Sequence, residues 1–180
     1  LYGIRPTWDA ISLDGVMKLA PSFDTVGWFA RDGDLLRRVG VELLRGATAE
    51  APRELLVARD AMALLDARAH AALEAAIERV AEHFDRVVPV TVAALDGLEG
   101  LRAWADAMAT IRFHEAWQVN REWVESVRPR LGETVRERFA IGAGITDAAL
   151  ADAHRAADRI RGHMRALLAD GAMLALPSVP

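Results

Sequence analysis

The stretch LYGIRPTWDAISLDGVMKLAPSFDTVGWFARD, residues 1 to 32, alternates short apolar runs with residues that favour turns. The runs Ile11 to Val16 and Phe23 to Ala30 have the length of strands and are too short for helices. The Asp14-Gly15 pair predicts a tight turn, because glycine adopts positive φ without steric cost. Glycines within such runs indicate close backbone approach or a bulge. The stretch therefore predicts a strand–turn–strand unit that packs against a larger body.

The composition limits the chemistry that the chain can carry. Its 180 residues are 52% hydrophobic with a net charge of −4, which suits one domain over residues 1-180 with a sizeable core. The negative charge argues against nucleic acid as a partner, since phosphate contacts need clustered Lys and Arg. The absence of cysteine excludes disulfides and thiolate metal sites. Arginine far outnumbers lysine and alanine is abundant, which is typical of a GC-rich bacterial gene.

Hydropathy gives no sign of a membrane protein. No apolar run approaches the roughly 18 residues that a membrane span requires, so we expect no membrane partner. No basic segment followed by an apolar one is visible near Leu1, so no signal peptide is predicted. We therefore expect a cytoplasmic location, and we expect the natural N-terminus to lie upstream of Leu1.

Residues after Asp32 predict a helix followed by a strand–helix–strand unit. Apolar residues recur at helical spacing from Leu35 to Leu44, with Asp32 or Asp34 as N-cap and Gly46 as the stop. A buried strand is predicted over Leu55 to Ala58, a helix over Leu64 through Phe84, and an edge strand around Pro89 over Val87 to Val92. Two strands joined by a helix predict a parallel pair.

The remainder of the chain is predominantly helical. The pattern predicts a long helix over Leu98 to Val127, a short helix over Thr134 to Ile141, a helix from the N-cap Thr146 to Gly171, and a strand over Met173 to Leu176. The predicted fold class is α/β, a mixed sheet with helices on both faces, as part of a larger α/β/α sandwich.

Few side chains qualify for catalysis or binding. Ser12 and Ser22 lie beside turns, where local bonding to the backbone is the favoured interpretation. Asp24 either shapes a pocket wall or accepts backbone amides and locks the strand against a segment that is missing from this chain, and the second role is favoured. His114-Glu115 could serve in acid–base chemistry, but a solvated helix face is favoured.

The aromatic and basic residues can also be interpreted as structural residues. The tryptophans Trp28, Trp104, Trp117 and Trp123 either line an aromatic-accepting pocket or belong to the core. Trp117 and Asp24 are the two substrate-binding candidates. The stretch Arg128 to Arg138, interleaved with Glu133 and Glu137, predicts an ion-paired exposed face. The five histidines show no metal-ligand spacing, so no metal and no cofactor are predicted.

Several motifs resemble one known family. The run G-I-R-P-T, then I-S-L-D-G-V and A-P-S-F-D-T-V-G-W-F-A-R-D, is similar to the amidase signature family, above all to its indole-3-acetamide-type members. Weaker similarity continues through His114-Glu115-Ala116-Trp117 to Leu174-Ala175-Leu176-Pro177. The chain departs from the family pattern after Pro6-Thr7, where the family commonly has an aromatic residue or His and then Gly. Here Trp8 is followed by Asp9.

The resemblance implies an amidase that hydrolyses a carbon–nitrogen amide bond of a small molecule. The family uses a Ser–Ser–Lys triad whose members all precede the G-x-x-P-T motif, which stands here at the start of the chain. Lys18 is the only lysine, in a segment that the family uses structurally, so no catalytic residue is expected here. We therefore expect the middle-to-C-terminal portion of an amidase, inactive alone; the alternative is a triad-less relative that acts as a binding or scaffold subunit.

The same reasoning predicts a missing partner. In the family, the segment equivalent to Leu1–Asp32 pairs with the preceding nucleophile segment, the expected partner from the same protein. Left uncovered, its apolar side chains and strand edges would promote association, in the simplest form a homodimer.

Overall fold

The computed structural model describes residues 1–44 and 51–178, which form two compact units. Unit 1 comprises Leu1–Ala49 and Ala109–Leu150, and unit 2 comprises Glu50–Met108 and Ala151–Pro180. Each unit is described separately below. That residues 1-180 are one domain fragment stays a prediction.

Unit 1 opens with a two-stranded antiparallel sheet. Strand β1 (Tyr2–Ile4) pairs with β2 (Trp28–Ala30), with Gly3 opposite Phe29. A Cβ at Gly27 would lie 2.8 Å from the Ile4 carbonyl oxygen, so only glycine permits this approach of the two chain segments. The close backbone approach predicted from the glycines is therefore confirmed.

The two strands predicted inside this stretch are largely wrong. Ile11 to Val16 forms no strand, and of Phe23 to Ala30 only β2 is extended in a sheet. Hydrogen bonds across the loop replace strand pairing: Trp8 Nε1 donates to the Pro21 carbonyl at 2.8 Å, and the Arg5 guanidinium donates to the Phe23 carbonyl at 2.7 Å. Apolar runs of this length can pack in a folded loop as well as in a strand.

Two residues of this loop have positive φ. Gly15, within the predicted Asp14-Gly15 turn, has a φ of 79°. A hydrogen bond of 3.0 Å from Val16 N to the Leu13 carbonyl closes this turn. Asp9 has a φ of 65°, in the left-handed region that glycine adopts most easily. The departure of Asp9 from the family pattern thus falls on a position whose backbone suits glycine.

Helix α1 (Gly33–Leu43) follows the sheet. The Asp32 carboxylate accepts a hydrogen bond from Leu35 N at 2.7 Å, which confirms Asp32 as the N-cap. Trp28 Nε1 donates to the Leu36 carbonyl at 3.1 Å and so joins β2 to the helix. The predicted stop at Gly46 lies outside the described residues.

Unit 2 contains a three-stranded parallel sheet. Strands β3 (Glu54–Ala58), β4 (Arg86–Val90) and β5 (Met173–Ala175) lie in the order β4-β3-β5. Leu55 is opposite Val87 in β4 and Met173 in β5. The parallel βαβ unit and the edge position of β4, which carries Pro89, are confirmed.

The crossover between β3 and β4 contains a shorter helix than predicted. A one-turn helix, α2 (Arg59–Met62), follows β3, and Leu64 and Leu65 continue it as a turn. Helix α3 (Ala67–Ala81) begins only after Asp66, whose carboxylate accepts from Ala69 N at 2.8 Å. The apolar period at Leu64 and Leu65 therefore belongs to a turn, in which the Leu64 side chain is exposed.

The core of unit 2 lies where β3 and β4 end. Ala58, Ala61 and Val92 are buried there, surrounded by partly buried apolar side chains: Val90, Leu101, Trp104, Met164, Leu167 and Leu174. The Asp60 carboxylate accepts from Val92 N at 3.1 Å and Ala93 N at 2.8 Å. Desolvation raises the pKa of Asp60, but these and other amide hydrogen bonds outweigh it and hold the pKa below its ordinary value.

The second half of the chain is helical as predicted. Its helices are α4 (Leu101–Val127), α5 (Glu133–Ala143) and α6 (Asp147–Leu167), followed by a 3₁₀ turn (Ala169–Gly171). Thr146 Oγ1 accepts from Ala149 N at 3.2 Å, in keeping with its predicted capping role. The α/β class is confirmed, with an antiparallel and a parallel sheet. Among the described residues, no helix combines the length and apolarity that a membrane crossing needs.

Candidate functional site

The loop Leu19–Asp24 in unit 1 is closed by its own aspartate. The Asp24 carboxylate accepts hydrogen bonds from Leu19 N at 2.9 Å and Ala20 N at 3.1 Å. Asp24 N and Phe23 N in turn donate to the Ala20 carbonyl at 2.9 and 2.8 Å. Asp24 therefore accepts backbone amides, as favoured from the sequence, and these amides lie in its own loop. That it locks a strand against another segment stays a prediction.

Helix α4 binds this loop through Glu115. The Glu115 carboxylate accepts hydrogen bonds from Ser22 N at 2.9 Å and from the Ser22 hydroxyl. The local bonding predicted for Ser22 is therefore wrong, whereas Ser12 does bond locally, to Asp14 N at 3.1 Å. A carboxylate with two donors is strongly held, because hydrogen bonds to charged groups are the stronger class.

The prediction of a solvated helix face at His114-Glu115 is also wrong. Both residues are half-buried, and His114 Nδ1 is buried without a hydrogen-bond partner among the described residues. This part of the helix faces the loop, because Glu115 is hydrogen-bonded to Ser22. An apolar-polar pattern cannot reveal a carboxylate that is held by a serine 93 positions away.

A cleft opens between α4, α5 and the tip of this loop, and we call it the α4–α5 cleft. Its volume is about 170 Å³. It is lined by Leu19 from the loop, by Arg112, Phe113 and Ala116 from α4, and by Val135, Arg138 and Phe139 from α5. Apolar side chains thus form most of its wall, and two guanidinium groups supply the charge.

Neither of the two substrate-binding candidates, Asp24 and Trp117, is among the residues that line the cleft. Asp24 acts on the cleft indirectly, because it orders the loop that carries Leu19. Trp117 packs on Phe139 with ring centroids 6.3 Å apart and does not itself line the cleft. Substrate contact by Asp24 or Trp117 stays a prediction.

The other tryptophans have structural partners or open surroundings. Trp104 Nε1 donates to the Leu98 carbonyl at 2.9 Å, and its ring meets the His163 ring edge to face at 5.8 Å. Trp28 joins β2 to α1 as described, and Trp123 is 46% exposed. Among these three, Trp104 and Trp28 therefore serve as packing residues.

Arg112 and Arg138 are the residues that the sequence reasoning missed. Sequence alone held a signal for Arg138: the residues three and four positions away, Thr134, Val135, Ile141 and Gly142, include no acid. The predicted ion pairing of the Arg128 to Arg138 stretch occurs between Glu133 and Arg136, 3.8 Å apart.

The described residues contain no nucleophile of the expected kind. Lys18 is exposed and forms no hydrogen bond to a serine within residues 1–44 and 51–178. The same residues bring together no group of three or more acids or histidines that could hold a metal ion. What the described residues place at the α4–α5 cleft is an apolar wall with two guanidinium groups.

Comparisons with known proteins relate the whole chain to two groups of plant proteins. The "Amidase 1" proteins of Arabidopsis thaliana and Oryza sativa subsp. japonica are 26% and 27% identical over 100% of this chain. The Pisum sativum protein "Translocon at the outer membrane of chloroplasts 64" is 26% identical over 99% of the chain. The chain spans 49%, 47% and 34% of these relatives, respectively. The predicted bacterial source stays a prediction.

A solved crystal structure of an amidase shares the fold. It superposes with a TM-score of 0.79, at 18% identity, over 97% of this chain and 40% of its own. No family model matches the chain. At 18% identity the match to the crystal structure shows a shared fold, whereas the matches to the Amidase 1 proteins show similarity in sequence. Sequence similarity that runs the length of the chain to proteins named amidase, together with a shared fold, supports the resemblance to the amidase signature family.

Proposed function

We propose that this chain is the part of an amidase that supports a catalytic centre carried by other residues of the same protein. The observation that carries the proposal is the match of the entire chain to just under half of each Amidase 1 protein. The remaining half of such a protein has ample length for a nucleophile. The only lysine of the chain, Lys18, forms no bond to a serine in the part that the structure describes, which supports the same division of labour.

The proposed reaction is hydrolysis of a small-molecule amide by the Ser–Ser–Lys triad of the family. The nucleophilic serine oxygen bonds to the amide carbonyl carbon, and backbone N–H groups stabilise the oxyanion that forms. The carbon–nitrogen bond then breaks, and the nitrogen leaves as ammonia or an amine with a proton relayed from the triad. Water hydrolyses the acyl-serine ester to release a carboxylic acid.

The test identifies the nucleophilic serine by covalent labelling. The full-length protein is incubated with a serine-reactive fluorophosphonate, and the labelled peptide is mapped by mass spectrometry alongside ammonia release from aryl and alkyl amides. We expect the label on a serine outside residues 1–180, and no ammonia release from the 180-residue chain. A Ser12→Ala variant serves as a control that keeps activity, because Ser12 bonds only to its own turn. A label on Ser12 or Ser22, or activity of the chain alone, would contradict the proposal.

Exposed apolar side chains near the start of the chain support a docked segment of the same protein. Leu1 is 94% exposed, Met17 86% and Phe29 77%. These side chains gain roughly 1.5–3 kcal/mol each when they are fully buried. We propose that the portion that carries the triad covers these three side chains. We also propose that the chain alone self-associates through them, in the simplest case as a homodimer.

A second candidate function is a non-catalytic binding or scaffold subunit. It is favoured by the match to a protein named for a chloroplast translocon and to two named "Outer envelope protein 64", chloroplastic and mitochondrial. A full-length protein that neither releases ammonia nor reacts with the fluorophosphonate, yet unfolds cooperatively, would select this function. Cell fractionation adds to the decision, since the proposed amidase is expected in the cytoplasm.

A further inference from the structure

The α4–α5 cleft has the size of a single aromatic ring. Its volume of about 170 Å³ compares with the roughly 150 Å³ of an engineered apolar cavity that binds benzene. Phe139 and Ala116 in its floor are each 8% exposed, and Phe113 adds an aromatic wall. The apolar part of the cleft therefore matches a flat hydrophobic group of about six carbon atoms.

The two cations beside this floor differ from neighbouring arginines in their ion pairing. Other arginines of the same helices pair with nearby acids: Arg121 with Glu125 at 3.1 Å, and Arg136 with Glu133 at 3.8 Å. Arg112 and Arg138 form no ion pair within the described residues.

The hydrogen bonds of Glu115 explain why Arg112 forms no ion pair within the described residues. Glu115, three residues further along α4, would be its natural partner, but its carboxylate is held by Ser22. The Arg112 guanidinium instead lies over the Phe113 ring, 5.2 Å from the centroid, an arrangement that keeps the charge beside the cleft. Two guanidinium groups beside an apolar floor match an aromatic ring that carries an anion, and guanidinium matches carboxylate geometry in particular.

We propose that the α4–α5 cleft binds a carboxylate on a single aromatic ring, with the ring on the apolar floor and the carboxylate at Arg112 and Arg138. This is a binding site separate from the catalytic centre proposed above and independent of it. The site stands if the protein proves to be a scaffold, and amide hydrolysis stands if the cleft proves empty.

The test is ligand-observed saturation-transfer NMR on the purified chain, with benzoate and phenylacetate as probes and benzyl alcohol as the neutral match. We expect saturable binding of the two carboxylates and at least about tenfold weaker binding of benzyl alcohol, because hydrogen bonds to charged groups contribute that much or more. Arg138→Gln should weaken benzoate binding by a similar factor. Arg138 is exposed, so this variant is expected to fold.

Arg136→Gln is the matched control, since Arg136 lies two residues away on the same helix and is paired with Glu133. We expect it to leave benzoate affinity unchanged. Equal affinity for benzoate and benzyl alcohol would overturn the proposal, and so would equal weakening by the two arginine variants. Failure to saturate at millimolar benzoate, or loss of binding in the full-length protein because another segment fills the cleft, would overturn it as well.

Discussion

Gly142 tests the packing of unit 1 most directly, because α4 and α5 approach each other there. A Cβ built on Gly142 would lie 2.2 Å from the Phe113 carbonyl oxygen and 3.0 Å from the Trp117 Cβ. The first of these neighbours is backbone, so no side-chain rotation relieves the overlap. Gly142→Ala should therefore force the two helices apart.

The expected loss follows from two opposing terms. A tight but acceptable contact needs roughly 3.2 Å, so the backbones must separate by about 1 Å, and overpacking of this kind costs about 1–3 kcal/mol. Alanine recovers about 0.5–1 kcal/mol through its better helix propensity. We therefore expect Gly142→Ala to lower the free energy of unfolding by about 1–2 kcal/mol.

Gly162 provides the matched control. It lies inside helix α6, and a Cβ there would meet no atom within 4 Å. Gly162→Ala should therefore show the propensity term alone and stabilise the protein by about 0.5–1 kcal/mol. The same substitution in two helices is thus predicted to act with opposite sign.

The assay is urea unfolding followed by tryptophan fluorescence and by far-ultraviolet circular dichroism, with thermal unfolding alongside. For a protein of this size, each kcal/mol shifts Tm by roughly 2–4 °C. A Gly142→Ala variant as stable as the parent, with Gly162→Ala stabilised as expected, would refute the close contact between α4 and α5.

Three further predictions concern other parts of the chain. Asp60→Asn should make the free energy of unfolding fall less steeply in acid, as urea unfolding across pH would show. The pKa of Asp60 in the folded protein is held below its ordinary 3.8. The stability that the Asp60 carboxylate contributes is therefore present above pH 3.8 and is lost as the pH falls through the lower folded pKa. Asp9→Val should destabilise by about 1–2 kcal/mol while Asp9→Gly does not, because φ at this position is 65°; equal thermal stability of the two variants would argue against this backbone. Phe29→Glu should reduce self-association of the chain in light scattering, since Phe29 is 77% exposed; an unchanged mass would exclude this face as the contact.

Some elements could be predicted from the sequence because their causes are local. Asp32 caps α1 through its own carboxylate, and Asp14-Gly15 turns because glycine reaches positive φ. The run Leu55 to Ala58 is apolar on both faces, which indicates a strand in a parallel sheet. Length and residue type were sufficient for these elements, whatever packs around them.

Other predictions failed where distant residues compete with local preference. The run Ile11 to Val16 has strand-like composition, but the loop around it is closed by bonds such as that from Trp8 to the Pro21 carbonyl. The helix predicted from Leu64 begins later for a different, local reason: Asp66 caps it, and the residues before Asp66 belong to a turn. Propensity is a weak preference that a few tertiary hydrogen bonds can reverse.

The sequence by itself determined that this chain is similar to amidases, with an α/β class and a single lysine. Only the tertiary structure decided which side chains meet. It joined Ser22 to Glu115 and left Arg112 and Arg138 beside an apolar cleft. The physical reason is range: caps, turns and strand preference act over a few residues, whereas a binding site is made by side chains that are far apart in the sequence and meet only after the helices pack.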